Sequence, residues 1–349
     1  MSRPLTIEGK EIMNGLFRNL AAVAGAFLLF ATATPQASAE TNTLRIAKQF
    51  GISYLPLVLL EEQKLIEKHA KELGLDVSVE WLRFTGGSGM NEAILSGNLD
   101  FASGGVGPLL TIWGKTQSNF KVKGVTSFNA MPLFLNTTNP NVKTIKDFTE
   151  KDKIALPAVK SSIQAVTLQI AAEKAFGKGQ ANKLDSITIS LGHPDGQAAL
   201  LSGRSEVTAH FTAAPFAYDE LADPRVHKVL DSYEVLGGPH TFNSLWATTK
   251  FHDENPKVIK AFLAALEEAI AFIKADPAKA AEIWVKAEKS KLTPEQAAAL
   301  ITKPENEWTL TPKKIVDYAD FMYSTGAISA KPTSWKDVFF EDIHHLPGS

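Results

Sequence analysis

Apolar and polar positions repeat in a recognisable order along this chain. Residues 93–101 read Ala93-Ile94-Leu95-Ser96-Gly97-Asn98-Leu99-Asp100-Phe101, and residues 199–207 read Ala199-Leu200-Leu201-Ser202-Gly203-Arg204-Ser205-Glu206-Val207. In each, an apolar helical turn meets a glycine, a polar turn follows and an apolar run begins. That order predicts a helix stopped by a C-terminal glycine, then a strand. The segments lie 106 residues apart (93 and 199), and a proline follows each, Pro108 and Pro215. Upstream, Arg45-Ile46-Ala47 is similar to Lys153-Ile154-Ala155, and each triplet opens a short strand. A serine-bearing loop comes next (Ser53; Ser161 and Ser162), then a helix (about 55–72; about 162–176) and another strand (77–83; 186–190).

Each half therefore reads strand–helix–strand–helix–strand. Strands joined by helices imply parallel sheets with right-handed crossovers, hence two α/β lobes. Two Phe-Asn dipeptides, Phe128-Asn129 and Phe242-Asn243, flank the second half and are read as the chain's crossings between lobes. The expected division is residues 40–127 with 243–349 in the first lobe, and 128–242 in the second. After the second crossing come helices at about 256–275, 278–289, 294–302 and 312–324, with Pro256, Pro277, Pro294 and Pro312 at or near their starts. Ala261, Leu263, Ala264, Leu266, Ala269, Ile270 and Ile273 form the apolar face expected to cover the first lobe.

The N-terminus departs from this pattern. Arg18 precedes twelve apolar or small residues, Leu20 to Ala31, and small and polar residues follow up to Ala37-Ser38-Ala39. This is the layout of a secretory signal peptide cleaved after Ala39, and Met13 is a second candidate start. The run is short of the ~20 apolar residues of a membrane span. Removal of residues 1–39 leaves 310 of 349, about two domains. There are no cysteines, so disulfides, thiolate metal sites and a lipidated N-terminal cysteine are excluded. A secreted chain with no lipid anchor is expected in a Gram-negative periplasm, with no membrane insertion after cleavage. The net charge of −2 argues against a nucleic-acid partner.

In open parallel sheets, ligands sit at the carboxyl ends of the strands. The loops there are Gln49–Tyr54, Phe84–Ser88 and Ser103–Pro108 in the first half. The second half supplies Val159–Gln164, Gly192–Gly196 and Phe211–Pro215. Three of them lead into helix N-termini with small or hydroxyl residues, and such termini favour anions. Ser161-x-x-Gln164 fits a capping box, and Asp195 is an expected N-cap. Lys48, Arg83, Lys160 and His193 are the basic candidates near these ends, each of which could equally be a surface or structural group. Phe50, Phe84, Phe128, Phe211 and Phe242 fall at strand ends or crossings. They line the ligand's apolar body or seal the core between the lobes.

No motif calls for chemistry. A P-loop is absent, Gly86-Gly87-Ser88-Gly89-Met90 lacks the last glycine of a nucleophile elbow, and there is no H-E-x-x-H. His344-His345 is read as a solvated tail. No catalytic residue, metal site or cofactor is expected.

The same loops, with Glu92–Phe101, Gly105-Val106-Gly107-Pro108, Thr144–Ala155 and His193-Pro194-Asp195-Gly196, resemble a known family. It comprises the periplasmic solute-binding proteins of nitrate, sulfonate and taurine ABC importers, with relatives that bind thiamine-pyrimidine precursors. Asn255–Pro277, Phe321–Ile328 and Trp335 are also similar, so the resemblance covers most of residues 43–340. It implies a two-lobed type II periplasmic-binding fold that closes on its ligand. By position it implies ligand contacts at Gln49, Phe50, Tyr54, Gly86, Gly87, Ser88, Gly105, Val106, Ser161, Ser162, Phe211 and Thr212. It further implies a small-molecule ligand and a membrane permease with its ATPase subunit as partner; the default expectation for the oligomeric state is a monomer. The phenylalanine-rich loops favour an organic anion over nitrate. The alternative is a thiamine-pyrimidine-precursor binding protein, or an enzyme on this fold.

Overall fold

A computed structural model describes residues 40–349 as one compact unit; the signal-peptide reading falls on residues outside it. The first half runs β1 (Thr43–Lys48), α1 (Leu55–Glu62), α2 (Leu65–Glu72), β2 (Ser78–Arg83), α3 (Gly87–Leu95), β3 (Ala102–Gly105), α4 (Val106–Lys115) and β4 (Lys123–Ala130). The second runs β5 (Phe134–Thr137), β6 (Ile154–Leu156), α5 (Ile163–Phe176), β7 (Thr188–Ser190), α6 (His193–Ser202), β8 (Ala209–Thr212), α7 (Phe216–Leu221), β9 (His227–Asp231) and α8 (Ser232–Leu236). The chain ends in β10 (Thr241–Ala247), α9 (Thr249–Glu254), α10 (Pro256–Ala275), α11 (Pro277–Glu288), α12 (Pro294–Ile301), α13 (Ile315–Ser324) and α14 (Trp335–Val338). The strand–helix–strand–helix–strand order thus occurs twice, from β1 to β3 and from β6 to β8.

The sheets are mixed rather than wholly parallel. β1 pairs with β2 in parallel, and a parallel bridge links Ile46 to Phe101 just before β3. β6 lies parallel to both β7 and β8. The antiparallel strands are those outside the repeat. β5 pairs antiparallel with β8 and β9, and β10 pairs antiparallel with β3 and β4. The physical reason is direction of travel: β4 carries the chain towards the second sheet and β10 brings it back. Asn243 stands opposite Asn129 in that pair, so the two Phe-Asn dipeptides meet. Both phenylalanines are buried there.

The structure differs from the sequence pattern in four places. Residues 55–72 form two helices, because Lys64 takes left-handed φ 51° and breaks the run. α13 starts at Ile315, three residues past Pro312, after a left-handed Lys314. On α10, Phe262 and Ala265 join the buried face, while Leu263 and Ala264 are only half-buried. That face packs against α1 and α2, which carry the outer surface of the first sheet. His344 bonds to the Phe339 carbonyl at 3.1 Å and meets the Trp335 ring edge-on, so it is docked rather than solvated. Among the described residues, no helix is long and apolar enough to cross a membrane.

Candidate functional site

Four helices begin at one small cavity between the first sheet and the second: α3, α4, α5 and α6. Their N-caps are Gly86, Gly105, Ser162 and Gly192. The three glycine caps supply no side-chain acceptor, so those first-turn N–H groups keep their donor capacity. Only Ser162 caps with its side chain, accepting from Ala165 N at 3.2 Å. The capping serine is therefore Ser162 rather than Ser161. Asp195 lies inside the first turn of α6, and Gly192 takes the cap position.

The first half lines the cavity with Gln49, Phe50, Tyr54, Gly87, Gly105 and Pro108. Pro157, Ser162, Ile163, Gln164 and His193 face them from the second, and Phe242 and Asn243 from β10. The cavity holds about 20 Å³, room for about one water molecule. The two halves are shut on each other. Ser88 Oγ lies 2.9 Å from Ser161 Oγ. A Cβ on Gly107 would stand 2.5 Å from the Ser161 carbonyl oxygen, and one on Gly86 would stand 3.0 Å from that of Pro157. Glycine is needed at these points because backbone meets backbone.

The lining has no lysine, arginine, aspartate or glutamate. Its titratable groups are Tyr54 and His193. Burial raises the Tyr54 phenol above its ordinary range; Ser103 is near enough to soften that rise, but its hydroxyl donates to the Ala47 carbonyl. Burial, and secondarily the neighbouring His210, holds His193 well below the usual histidine range. Both groups are neutral at physiological pH. Three buried polar atoms here have no hydrogen-bond partner: the Tyr54 hydroxyl and both ends of the Asn243 amide. Tyr54 is 3% exposed and Asn243 is 1% exposed. An unpaired buried polar group costs about 1–3 kcal/mol, so two such side chains in one cavity mark a place where something else supplies the bonds.

The structure sorts the candidates read from sequence. Gln49, Phe50, Tyr54, Gly87, Gly105, Ser162 and His193 meet in this cavity. Gly86 and Ser88 line an adjoining hollow with Phe84. Val106, Phe211 and Thr212 are buried behind the lining, where the Thr212 hydroxyl lies 3.0 Å from His193 Nδ1. Ser161 stands at the rim against Ser88. The cations lie elsewhere. Arg83 forks onto Glu288 at 2.5 and 2.7 Å and covers the outer face of Phe50, while Lys48 pairs with Glu61 and Glu288. Lys160 is exposed, in a left-handed turn at φ 63°. Phe128 belongs to the core. Sequence reasoning read Phe242 as pocket or core, held Pro108, Ile163 and Gln164 within the ligand loops without singling them out, and missed Pro157 and Asn243 as lining residues. The repeated Phe-Asn dipeptide was the available signal for Asn243.

Because Arg83 is engaged outside the cavity, Arg83→Ala is expected to leave ligand affinity within about threefold, at a stability cost below about 1 kcal/mol. Calorimetric titration checks this, and a tenfold loss would return Arg83 to the ligand's path.

The sequence profile of the family described as NMT1/THI5 like matches residues 71–280, more than half of the chain. The chain belongs to the NMT1/THI5-like family. No curated protein matches the chain. Among solved structures, this family member is similar to the alkanesulfonate-binding protein SsuA from Xanthomonas axonopodis pv. citri bound to MOPS, at 18% identity and a TM-score of 0.65 over 86% of this chain and 97% of that one. It is similar to the periplasmic nitrate-binding protein NrtA from Synechocystis PCC 6803, at 15% identity and a TM-score of 0.67 over 88% of each chain. A Candida albicans gene product described as having the generic periplasmic binding protein fold is 15% identical, with a TM-score of 0.65 over 84% of this chain and 92% of that one. The fold of this NMT1/THI5-like chain is the periplasmic-binding-protein fold.

Proposed function

We propose that this protein is the solute-binding component of an ABC importer. It captures a small organic anion (a sulfonate, a taurine-like compound or an aromatic carboxylate) between its two lobes. It then delivers the ligand to a membrane permease driven by an ATPase subunit. The proposed lobes are residues 40–127 with 243–349 and residues 128–242. The ligand is held by Gln49, Phe50, Tyr54, Gly87, Gly105, Ser162 and His193 from the sequence-derived set, joined by Gln164, Phe242 and Asn243. The protein acts as a monomer in the periplasm after removal of residues 1–39, and it binds without catalysing a reaction.

One observation carries this reading: the unpaired Tyr54 hydroxyl and Asn243 amide share an uncharged cavity with four helix N-termini. Aligned peptide dipoles and free N–H groups hold an anion without a fixed counter-charge. Exclusion of water strengthens those contacts. Phe50 and Phe242 suit an organic body better than a hydrated ion such as nitrate. At about 20 Å³ the closed cavity is too small for such a ligand, so capture begins from an opened form. The likeness to sulfonate- and nitrate-binding proteins supports the reading.

A second reading is favoured by the Asn243 amide, which offers a donor and an acceptor side by side, the pattern an aminopyrimidine would use. Thermal melting of the protein with propane-1-sulfonate, taurine, phthalate, nitrate and 4-aminopyrimidine separates the two. A ligand at 100 times its Kd adds ~2.7 kcal/mol of stability, a shift of at least ~2 °C for a protein of this size. A shift with an organic anion is expected. A shift with the aminopyrimidine alone would overturn the anion site in favour of the second reading.

A further inference from the structure

The imidazole of His193 ends a line of buried groups that reaches the interior of the second sheet. His193 Nδ1 lies 3.2 Å from His210 Nε2. His210 Nδ1 lies 2.6 Å from Glu220 Oε1, and Asn136 Nδ2 donates to Glu220 Oε2 at 2.9 Å. His210 and Glu220 are fully buried, and His193 is 6% exposed. Three elements fix the line. α6 places His193 at its first residue. β8 places His210 and Thr212 two apart, on one face of the strand. α7 supplies Glu220. A Cβ on Gly196 would stand 2.6 Å from His210 Nε2, so the glycine leaves room for the ring.

The Thr212 hydroxyl, 3.0 Å from His193 Nδ1, can accept from that nitrogen or donate to it, and bare nitrogens on both rings would set two lone pairs 3.2 Å apart, so hydrogen bonding leaves this line two arrangements. Glu220 accepts from Asn136 with one oxygen and faces His210 Nδ1 with the other, so against an ionised Glu220 the His210 Nδ1 carries a hydrogen. His210 Nε2 is then either bare or protonated. If bare, it accepts from His193 Nδ1–H, and His193 Nε2 offers the cavity a lone pair. If protonated, it donates to His193 Nδ1. The His193 hydrogen then sits on Nε2, and the cavity meets a donor. Gln164, whose amide nitrogen lies 3.4 Å from His193 Nε2, serves either form by turning its amide.

We infer that Glu220, His210 and His193 form a one-proton polarity switch for the ligand. An anion binds together with one proton taken from water, held on His210 as imidazolium against the Glu220 carboxylate. A ligand that offers an N–H donor binds with no proton. This rests on the cavity being the ligand site. His193 is the contact, and His210 and Glu220 are positioning residues that act through it. The other ionisable groups nearby are Asp195 on α6 and Asp219, next to Glu220 on α7. Across the cavity the lining offers Tyr54 and no charged side chain. Burial first, and then His210, holds His193 well below the usual histidine range.

Nitrogen-15 NMR of the histidine rings in the purified protein tests the switch between pH 5 and 9, first without ligand. The expected result is a single step in which His210 gains a proton and the His193 hydrogen moves from Nδ1 to Nε2. A His193 ring that keeps one tautomer throughout overturns the switch, whether or not any ligand binds. With propane-1-sulfonate, affinity should fall about tenfold per pH unit above that step, with one proton taken up per anion in calorimetry across buffers of different ionisation heat. With 4-aminopyrimidine the trend should reverse, with a proton released below the step. Glu220→Gln should abolish the proton uptake. Should that variant fail to fold, His193→Gln should abolish it instead, with a melting temperature near that of the parent. Equal uptake in a folded variant would overturn the assignment. If neither compound binds, the ligand class proposed above fails while the ring titration still decides the switch.

Discussion

Gly107→Ala is expected to weaken ligand binding by up to about 100-fold while leaving the ligand-free protein folded. Gly107 stands in the first turn of α4, where a methyl group would meet the Ser161 carbonyl oxygen at 2.5 Å and the Ile163 amide nitrogen at 3.2 Å. Those atoms belong to the opposite half of the molecule and to backbone that cannot swing aside. The clash therefore exists only when the halves are shut. Overpacking of this kind costs about 1–3 kcal/mol, charged wholly to the closed form. Alanine is also the better helix former, so α4 itself loses nothing. Calorimetry gives the affinity, and small-angle scattering with saturating ligand should show the variant more expanded than the parent. Parent-like affinity and compaction would mean that this contact has no part in capture.

Tyr54→Phe should move stability and binding in opposite directions. The hydroxyl is buried without a partner, so its removal is expected to raise the stability of the ligand-free protein, or leave it unchanged, by up to about 1 kcal/mol. A hydrogen bond from that hydroxyl to a charged ligand is worth about 1.5–3 kcal/mol, so the same change should weaken binding about 10- to 100-fold. A residue of purely structural importance would lose both together. Thermal melting without ligand and titration with it measure the two signs. Unaltered affinity would remove Tyr54 from the site.

The repeat was legible because its punctuation is local. Gly97 and Gly203 both adopt left-handed backbone after a helix, and glycine before a polar turn says so in the sequence. Helix starts marked by proline were equally plain at Pro256, Pro277 and Pro294. The break at Lys64 was hidden, since neither glycine nor proline marks it and tertiary packing overrides the propensity of lysine there. The antiparallel strands were hidden for another reason. β4 pairs with β10 over a separation of more than a hundred residues, and strand direction is not a local property. At the site, the small residues before helices are legible as the N-caps Gly86, Gly105 and Gly192. Charged residues misled, because Arg83 meets Glu288, 205 positions away, and no periodicity reports such a partner. Asn243 was read as a crossing residue; that its amide lacks a partner in the cavity is visible only in three dimensions.

The ligand is expected to take the hydrogen bonds that Tyr54 and Asn243 lack. A crystal structure of the protein with the compound giving the largest melting shift tests it most directly. An anionic group is expected at the N-termini of α3, α4, α5 and α6, within hydrogen-bond distance of the Tyr54 hydroxyl and the Asn243 amide. A ligand seated elsewhere, with those two side chains still unpaired, would contradict it.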